Sequence, residues 1–184
     1  MSCPPHSPAL RVFFALWPTA AEREALAAWQ EPLKQLYGGR TMRVATLHST
    51  LVFIGGIEQV RLEPLRMAAL EASAEGFDLC FDSAHYWGHN HIVYAAPGHV
   101  PPPLVQLASA LEQSLARHGF DFDRREYKPH ITLLRNARRT DSELDGLQPV
   151  RWRITDFALV QSVPQGGLVD YRVLARFPLG AIGG

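Results

Sequence analysis

Apolar residues run without interruption from Val12 to Trp17 in the stretch RVFFALW (11–17), and a run of that length closed by a proline predicts a buried strand. Pro18 and Thr19 then supply a stop and a helix cap. From Ala20 the spacing changes. Leu26, Trp29, Leu33, Leu36 and Tyr37 recur at helical intervals as far as Gly38 and Gly39, with Pro32 predicted to kink the helix. The mostly apolar strand LHSTLVFIG (47–55) follows. Residues 62–75 predict a second helix, with Pro64 in its first turn and Leu65, Ala69 and Ala72 on one side. FDLCFDSAHYW and HIVYAA predict a hairpin joined through Gly88 to Asn90. Beyond PGHVPPP, Leu104, Leu107, Ala108, Leu111 and Leu115 mark a third helix that stops at Gly119. A second histidine strand, KPHITLLRN (128–136), comes next. RWRITDFALVQSV and DYRVLARFPL then predict a closing hairpin around PQGG.

Helices interspersed with hairpin-paired strands point to an α+β fold with antiparallel sheets, not a parallel α/β wind. The chain of 184 residues suits one domain of two small lobes, 1–184, with loose tails at 1–9 and 180–184. Each half places a helix before a strand carrying His-x-Thr-Leu, and the two histidines stand 130 − 48 = 82 residues apart. Outside those motifs the halves share little.

Side chains alternate along a strand, so His48 and Thr50 share one face while Leu47, Ser49 and Leu51 take the other. The same parity pairs His130 with Thr132 and sends Ile131 and Leu133 away. A lone histidine on a strand is more often structural than catalytic. The doubling favours chemistry. Two such strands side by side would bring two imidazoles and two hydroxyls to one small volume. With an ordinary pKa near 6.5, one imidazole can be neutral and the other protonated at neutral pH, giving a general base and a general acid. Thr50 and Thr132 can donate to non-bridging oxygens as charge builds up. Phosphoryl chemistry fits this set.

Charge narrows the partners: 18 Lys and Arg balance 18 Asp and Glu, so the whole molecule has no pull on nucleic acid or membranes. Any polyanion must be held locally. Arg124, Arg125, Lys128, Arg135, Arg138 and Arg139 crowd around the second motif and would supply that local field. Cys80 reads as core filler in a strand, and Cys3 as part of a loose tail. With no secretory leader or membrane span, the chain is expected in the cytoplasm, as a monomer with no obligate protein partner. His85, His89 and His91 lack the fourth ligand and the carboxylate or Cys company of a zinc site, so no metal and no cofactor is expected.

Two His-x-Thr motifs about 80 residues apart, with RVFFALWP at the start and KPHITLLR late, resemble the 2H phosphoesterase superfamily, in particular its RNA 2′,3′-cyclic phosphodiesterases, historically called 2′-5′ RNA ligases. The resemblance implies two pseudo-symmetric lobes, each an antiparallel sheet with helices on its outer face, and an active-site cleft between them. It further implies metal-independent hydrolysis of a 2′,3′-cyclic phosphate at an RNA end, or on a nucleotide, to a 2′-phosphomonoester. His48 would protonate the departing 3′-oxygen and His130 would activate water, although the residues alone leave the two roles interchangeable. A 2′-5′ ligase, a small cyclic-nucleotide phosphodiesterase and a non-catalytic RNA-end binding protein remain alternatives. Arg135 matches a family position that helps hold phosphate, which requires its strand to end or bulge near Leu134. Arg43 is a second candidate cation at the entry to the first strand. Phe13, Tyr127, Trp87 and Tyr86 are candidate platforms for a base.

Overall fold

The computed structural model describes residues 9–142 and 146–181. Strand β1 (Leu10–Leu16) is the apolar run at the start of the chain. The predicted long helix is two, α1 (Ala20–Ala27) and α2 (Gln30–Tyr37). Pro32 accounts for the break, because its ring displaces the carbonyl four residues back, that of Ala28. The Thr19 N–H donates to the Glu22 carboxylate at 2.9 Å and starts α1. Short β2 (Arg40–Thr41) leads to β3 (Ser49–Ile57), which begins immediately after His48. Helix α3 (Leu62–Glu71) is shorter than predicted and stops before Ala72.

Strands β4 (Phe77–Trp87) and β5 (Ile92–Pro97) form the predicted hairpin. Helix α4 (Pro102–Arg117) buries Leu104, Leu107, Ala108, Leu111 and Leu115 as its spacing requires. After β6 (Ile131–Arg135) come β7 (Val150–Ile154), β8 (Asp156–Gln165) and β9 (Leu168–Pro178).

All pairings between these strands are antiparallel, in two sheets ordered β3-β1-β8-β9 and β2-β6-β5-β4-β7. Helices α3 and α4 pack together behind the first sheet, and α1 and α2 lie on the second. Each lobe therefore draws strands from both halves of the chain. One core of buried side chains runs through both lobes, and a second, smaller cluster of Phe13, Ala15, Ala158 and Val160 lies on the other face of the first sheet. That second cluster is the floor of the cleft.

Three expectations need correction. RWRITDFALVQSV is two strands in two sheets: β7 pairs with β4, whereas β8 pairs with β1 and β9. Its pattern changes at Thr155, from alternating Val150, Trp152 and Ile154 to a continuous buried run from Phe157 to Val160. Cys80 is half-buried on the face opposite Phe77, Leu79 and Phe81, because those three claim the core side of β4. Gly180, expected to fray, is held at 2.9 Å by its N–H to the Ala74 carbonyl and by its own carbonyl to Gly76 N–H. Cys3 and the remaining tail residues 1–8 and 182–184 lie outside the described residues.

Candidate active site

His48 and His130 each stand one residue ahead of a strand, and each is held by the main chain in the same way. His48 Nδ1 lies 2.7 Å from the Thr46 carbonyl oxygen, and His130 Nδ1 lies 2.7 Å from that of Lys128. A carbonyl only accepts, so each Nδ1 carries the hydrogen and each Nε2 is the free nitrogen. Both rings line one cavity of about 510 Å³ together with Thr50 and Thr132.

The two strands also shift register at the same place. Ala15 faces Thr50 but Phe14 faces Val52, leaving Leu51 as an extra residue. In β6, Tyr94 faces Thr132 and Val93 faces Leu134, leaving Leu133 extra. Successive side chains therefore enter the core, Leu51 with Val52 and Leu133 with Leu134, none more than 4% exposed. The next residue returns to the cleft: Phe53 on one strand, Arg135 on the other. This is the irregularity that Arg135 needed in order to share a cavity with His130. Phe53 occupies the matching position five residues after His48, and copying the Arg135 argument onto the first motif would have found it.

Buried Gln30 ties the two motifs together. Its Nε2 donates to the Met42 carbonyl at 2.9 Å and to the Leu133 carbonyl at 3.1 Å, and Leu133 also accepts the Met42 N–H at 2.9 Å. The segment leading to His48 is thus bonded to the extra residue of the His130 strand. Behind it, Gly39 has φ +83°, and a Cβ there would lie 2.5 Å from the Arg135 carbonyl oxygen. Only glycine lets the chain pass so close to the end of β6.

The rings around each histidine differ. His48 is packed by Phe13 at 4.9 Å, Tyr171 at 5.1 Å and Trp17 at 5.6 Å between centroids. Arg23 lies over the Trp17 ring at 4.6 Å, and its Nε donates to the Leu47 carbonyl at 3.1 Å. His130 meets Trp87 at 4.7 Å and Tyr94 at 5.6 Å, both edge-on. Burial pushes the His48 pKa down to about 4, and Arg23, His130 and Arg135 push the same way against the bond to Thr46. Burial also lowers His130, opposed by its bond to Lys128.

The remaining candidates divide. Phe13 lines the cavity but is 3% exposed and supports His48 instead of offering an open stacking face. Arg43 is not among the residues that line the cavity. Its guanidinium donates to the Val169 carbonyl and sits 3.6 Å from Asp170, tying the segment before His48 to the start of β9. Tyr127 is also absent from the shared cavity: its ring packs on the core, its buried hydroxyl faces Ser49, and burial pushes its pKa up. Tyr86 stacks on Tyr37 and bonds His91 at 3.0 Å.

The run of cations does not converge as its sequence suggests. Arg125 pairs with Asp123, Lys128 lies 3.3 Å from Glu126, and Arg124 covers Phe122. Of the six, Arg135 alone lines the cavity, and the second cation there is Arg11 from β1. Among the described residues no group of three or more His, Cys, Asp or Glu side chains is arranged to hold a metal ion.

A sequence model of the 2'-5' RNA ligase superfamily matches residues 17–165. The RNA 2',3'-cyclic phosphodiesterase of Escherichia coli (strain K12) is 32% identical over 173 residues, covering 92% of this chain and 96% of its own. The crystal structure of E. coli LigT in apo form superposes with a TM-score of 0.80 at 31% identity, over 95% of this chain and 99% of that one. LigT complexed with 3'-AMP gives 0.83 at 31%, over 93% and 98%.

Proposed function

The chain belongs to the 2'-5' RNA ligase superfamily, and from that premise we propose that it hydrolyses 2′,3′-cyclic phosphates at RNA ends to 2′-phosphomonoesters. The observation that carries this is the twinned pair of imidazoles in one cavity, each with Nδ1 fixed on a carbonyl, Nε2 free, and a threonine on the same strand face. A cyclic phosphodiester bound there takes the oxygen of a water onto phosphorus while one neutral Nε2 accepts the water proton. The P–O3′ bond breaks, and the 3′-oxygen takes a proton from the other ring, which has been protonated in the complex. Thr50 and Thr132 donate to the two non-bridging oxygens, and Arg135 faces their negative charge. The two rings end with their proton exchanged, and solvent resets them. No residue in this scheme needs a metal ion. The named activity and nucleotide complexes of the relatives support the substrate class. Work in the cytoplasm as a monomer completes the proposal; no helix among the described residues is long and apolar enough to cross a membrane.

Roles follow the family resemblance in the first instance, with His48 as acid toward the 3′-oxygen and His130 as base toward water. A specific observation favours the reverse. Burial, with the nearby charges of Arg23, His130 and Arg135 adding to it, disfavours a proton on His48, whereas His130 is lowered by burial alone, against its bond to Lys128. A cyclic substrate with sulfur in place of the bridging 3′-oxygen separates the two, because a thiolate leaves without a general acid. Rescue of His48→Ala supports the first assignment, and rescue of His130→Ala supports the second.

The activity itself is tested with an oligoribonucleotide ending in a 2′,3′-cyclic phosphate, incubated with protein and EDTA. Conversion to a 2′-phosphate is expected. A 3′-phosphate would contradict the leaving group, and binding without turnover would favour a non-catalytic RNA-end protein.

A further inference from the structure

Three cavity-lining residues lie in one row across the first sheet. Arg11 on β1 pairs with Ser162 on β8, and Ser162 pairs with Tyr171 on β9. The register settles which face they share, since Val12 and Phe14 of β1 go to the core while Phe13 and Ala15 floor the cleft. The row is displaced from the reacting centre. Thr50 pairs with Ala15, four residues along β1 from Arg11, a distance of ~13 Å. Arg11 is therefore anchored further along the floor than the strand positions that carry the histidines and threonines. Its guanidinium rests over the Phe53 ring at 5.0 Å and has no carboxylate partner among the described residues. Among the described residues no Asp or Glu lines this cavity. The groove that leaves the histidines on the other side carries Glu112, Asp123 and Glu126, and its two cations, Arg125 and Lys128, are already paired.

Resting on the proposed function, we propose that Arg11 and Ser162 form a subsite for a phosphodiester of the RNA chain 5′ to the cyclic end. An unpaired guanidinium beside a hydroxyl matches the charge and the acceptors of a phosphodiester, and the distance matches a group further along the chain. The acidic groove opposite would repel a second phosphate. The polynucleotide thus leaves over the end of the sheet where β1 begins and β8 closes, and the enzyme distinguishes a chain end from a free cyclic mononucleotide by this contact.

Binding and turnover test it together. Affinities are measured by calorimetry for a nucleoside 2′-phosphate and for a trinucleotide ending in a 2′-phosphate, and kcat/KM for the matching cyclic phosphates. The wild-type protein should hold the trinucleotide about tenfold or more tighter than the mononucleotide. Arg11→Gln should remove most of that gain, chiefly through KM, while leaving the mononucleotide within twofold. The salt dependence of trinucleotide binding should fall by about one charge. Ser162→Ala should lose less, and Arg11→Lys should restore part. The subsite is overturned if the wild-type protein shows no gain with length, or if Arg11→Gln costs the same on both ligands. Failure of the wild-type protein to open any cyclic phosphate, with the length gain and its loss in Arg11→Gln intact, would sink the proposed activity but not the subsite.

Discussion

Trp17 lies ring to ring with His48, centroids 5.6 Å apart and planes 28° from parallel, and the same indole carries the Arg23 guanidinium at 4.6 Å. A cation is thereby held close to an imidazole that the cleft already dehydrates. Arg23→Met keeps the packing bulk and removes the charge, so the His48 pKa should rise. NMR titration of His48 should show that rise, and the acid limb of kcat/KM against pH should move with it. A purely structural Arg23 would lower the melting temperature and leave both titrations in place.

Stability should depend on pH through the same ring. His48 is neutral above its ordinary pKa of 6.5 whether the chain is folded or not, so nothing changes there. Between pH 6.5 and about 4 the unfolded chain takes a proton that the folded site refuses, and stability falls as pH falls, by up to about 3 kcal/mol. Below that the effect levels off. His130 adds to the loss in the same direction. Denaturant melts of wild type and His48→Gln at pH 7 and pH 4.5 check this: the variant should gain relative to wild type at the lower pH, and parallel curves would contradict it.

Replacing either histidine by alanine should remove most turnover with little loss of folding. Thr50→Val and Thr132→Val keep the branched shape that a strand favours but delete the donor. Each should lower kcat/KM about ten- to a thousandfold with a melting temperature close to wild type. Activity that survives both substitutions would leave the non-bridging oxygens to other donors.

Gln30→Leu should cost about 1–3 kcal/mol, because the Met42 carbonyl loses the side-chain donor it shares with Leu133. Gln30→Glu should cost more, since it sets a carboxylate against two carbonyl oxygens. Thermal melts rank the two variants, and a fall in kcat/KM should accompany each as the two motifs lose their tie.

The convergence of the two motifs on one cavity was readable from the sequence because strand alternation acts over two residues, and His48 with Thr50, or His130 with Thr132, spans no more. Arg135 needed one added assumption, a register shift, and Phe53 would have followed from it. Reading failed where the answer depended on pairing between distant segments. Nothing local marks Arg11, Ser162 and Tyr171 as one row, since it takes β1, β8 and β9 to assemble it. The basic run from Arg124 misled for the opposite reason: adjacent in sequence, its members are drawn off by Asp123, Glu126 and Phe122. The division of 150–163 between two sheets was visible in the change of pattern at Thr155, but hydrophobicity alone does not say where a strand finds its partner.

Both histidine rings of the proposed active site are oriented by peptide carbonyls and not by a neighbouring carboxylate. No single substitution of the residues that supply those carbonyls, Thr46 and Lys128, can delete the acceptor, because every amino acid brings the same C=O. The tautomer is inherited from the course of the backbone. Surrounding side chains are thereby left free to adjust acidity and substrate choice without dislodging the reactive nitrogens.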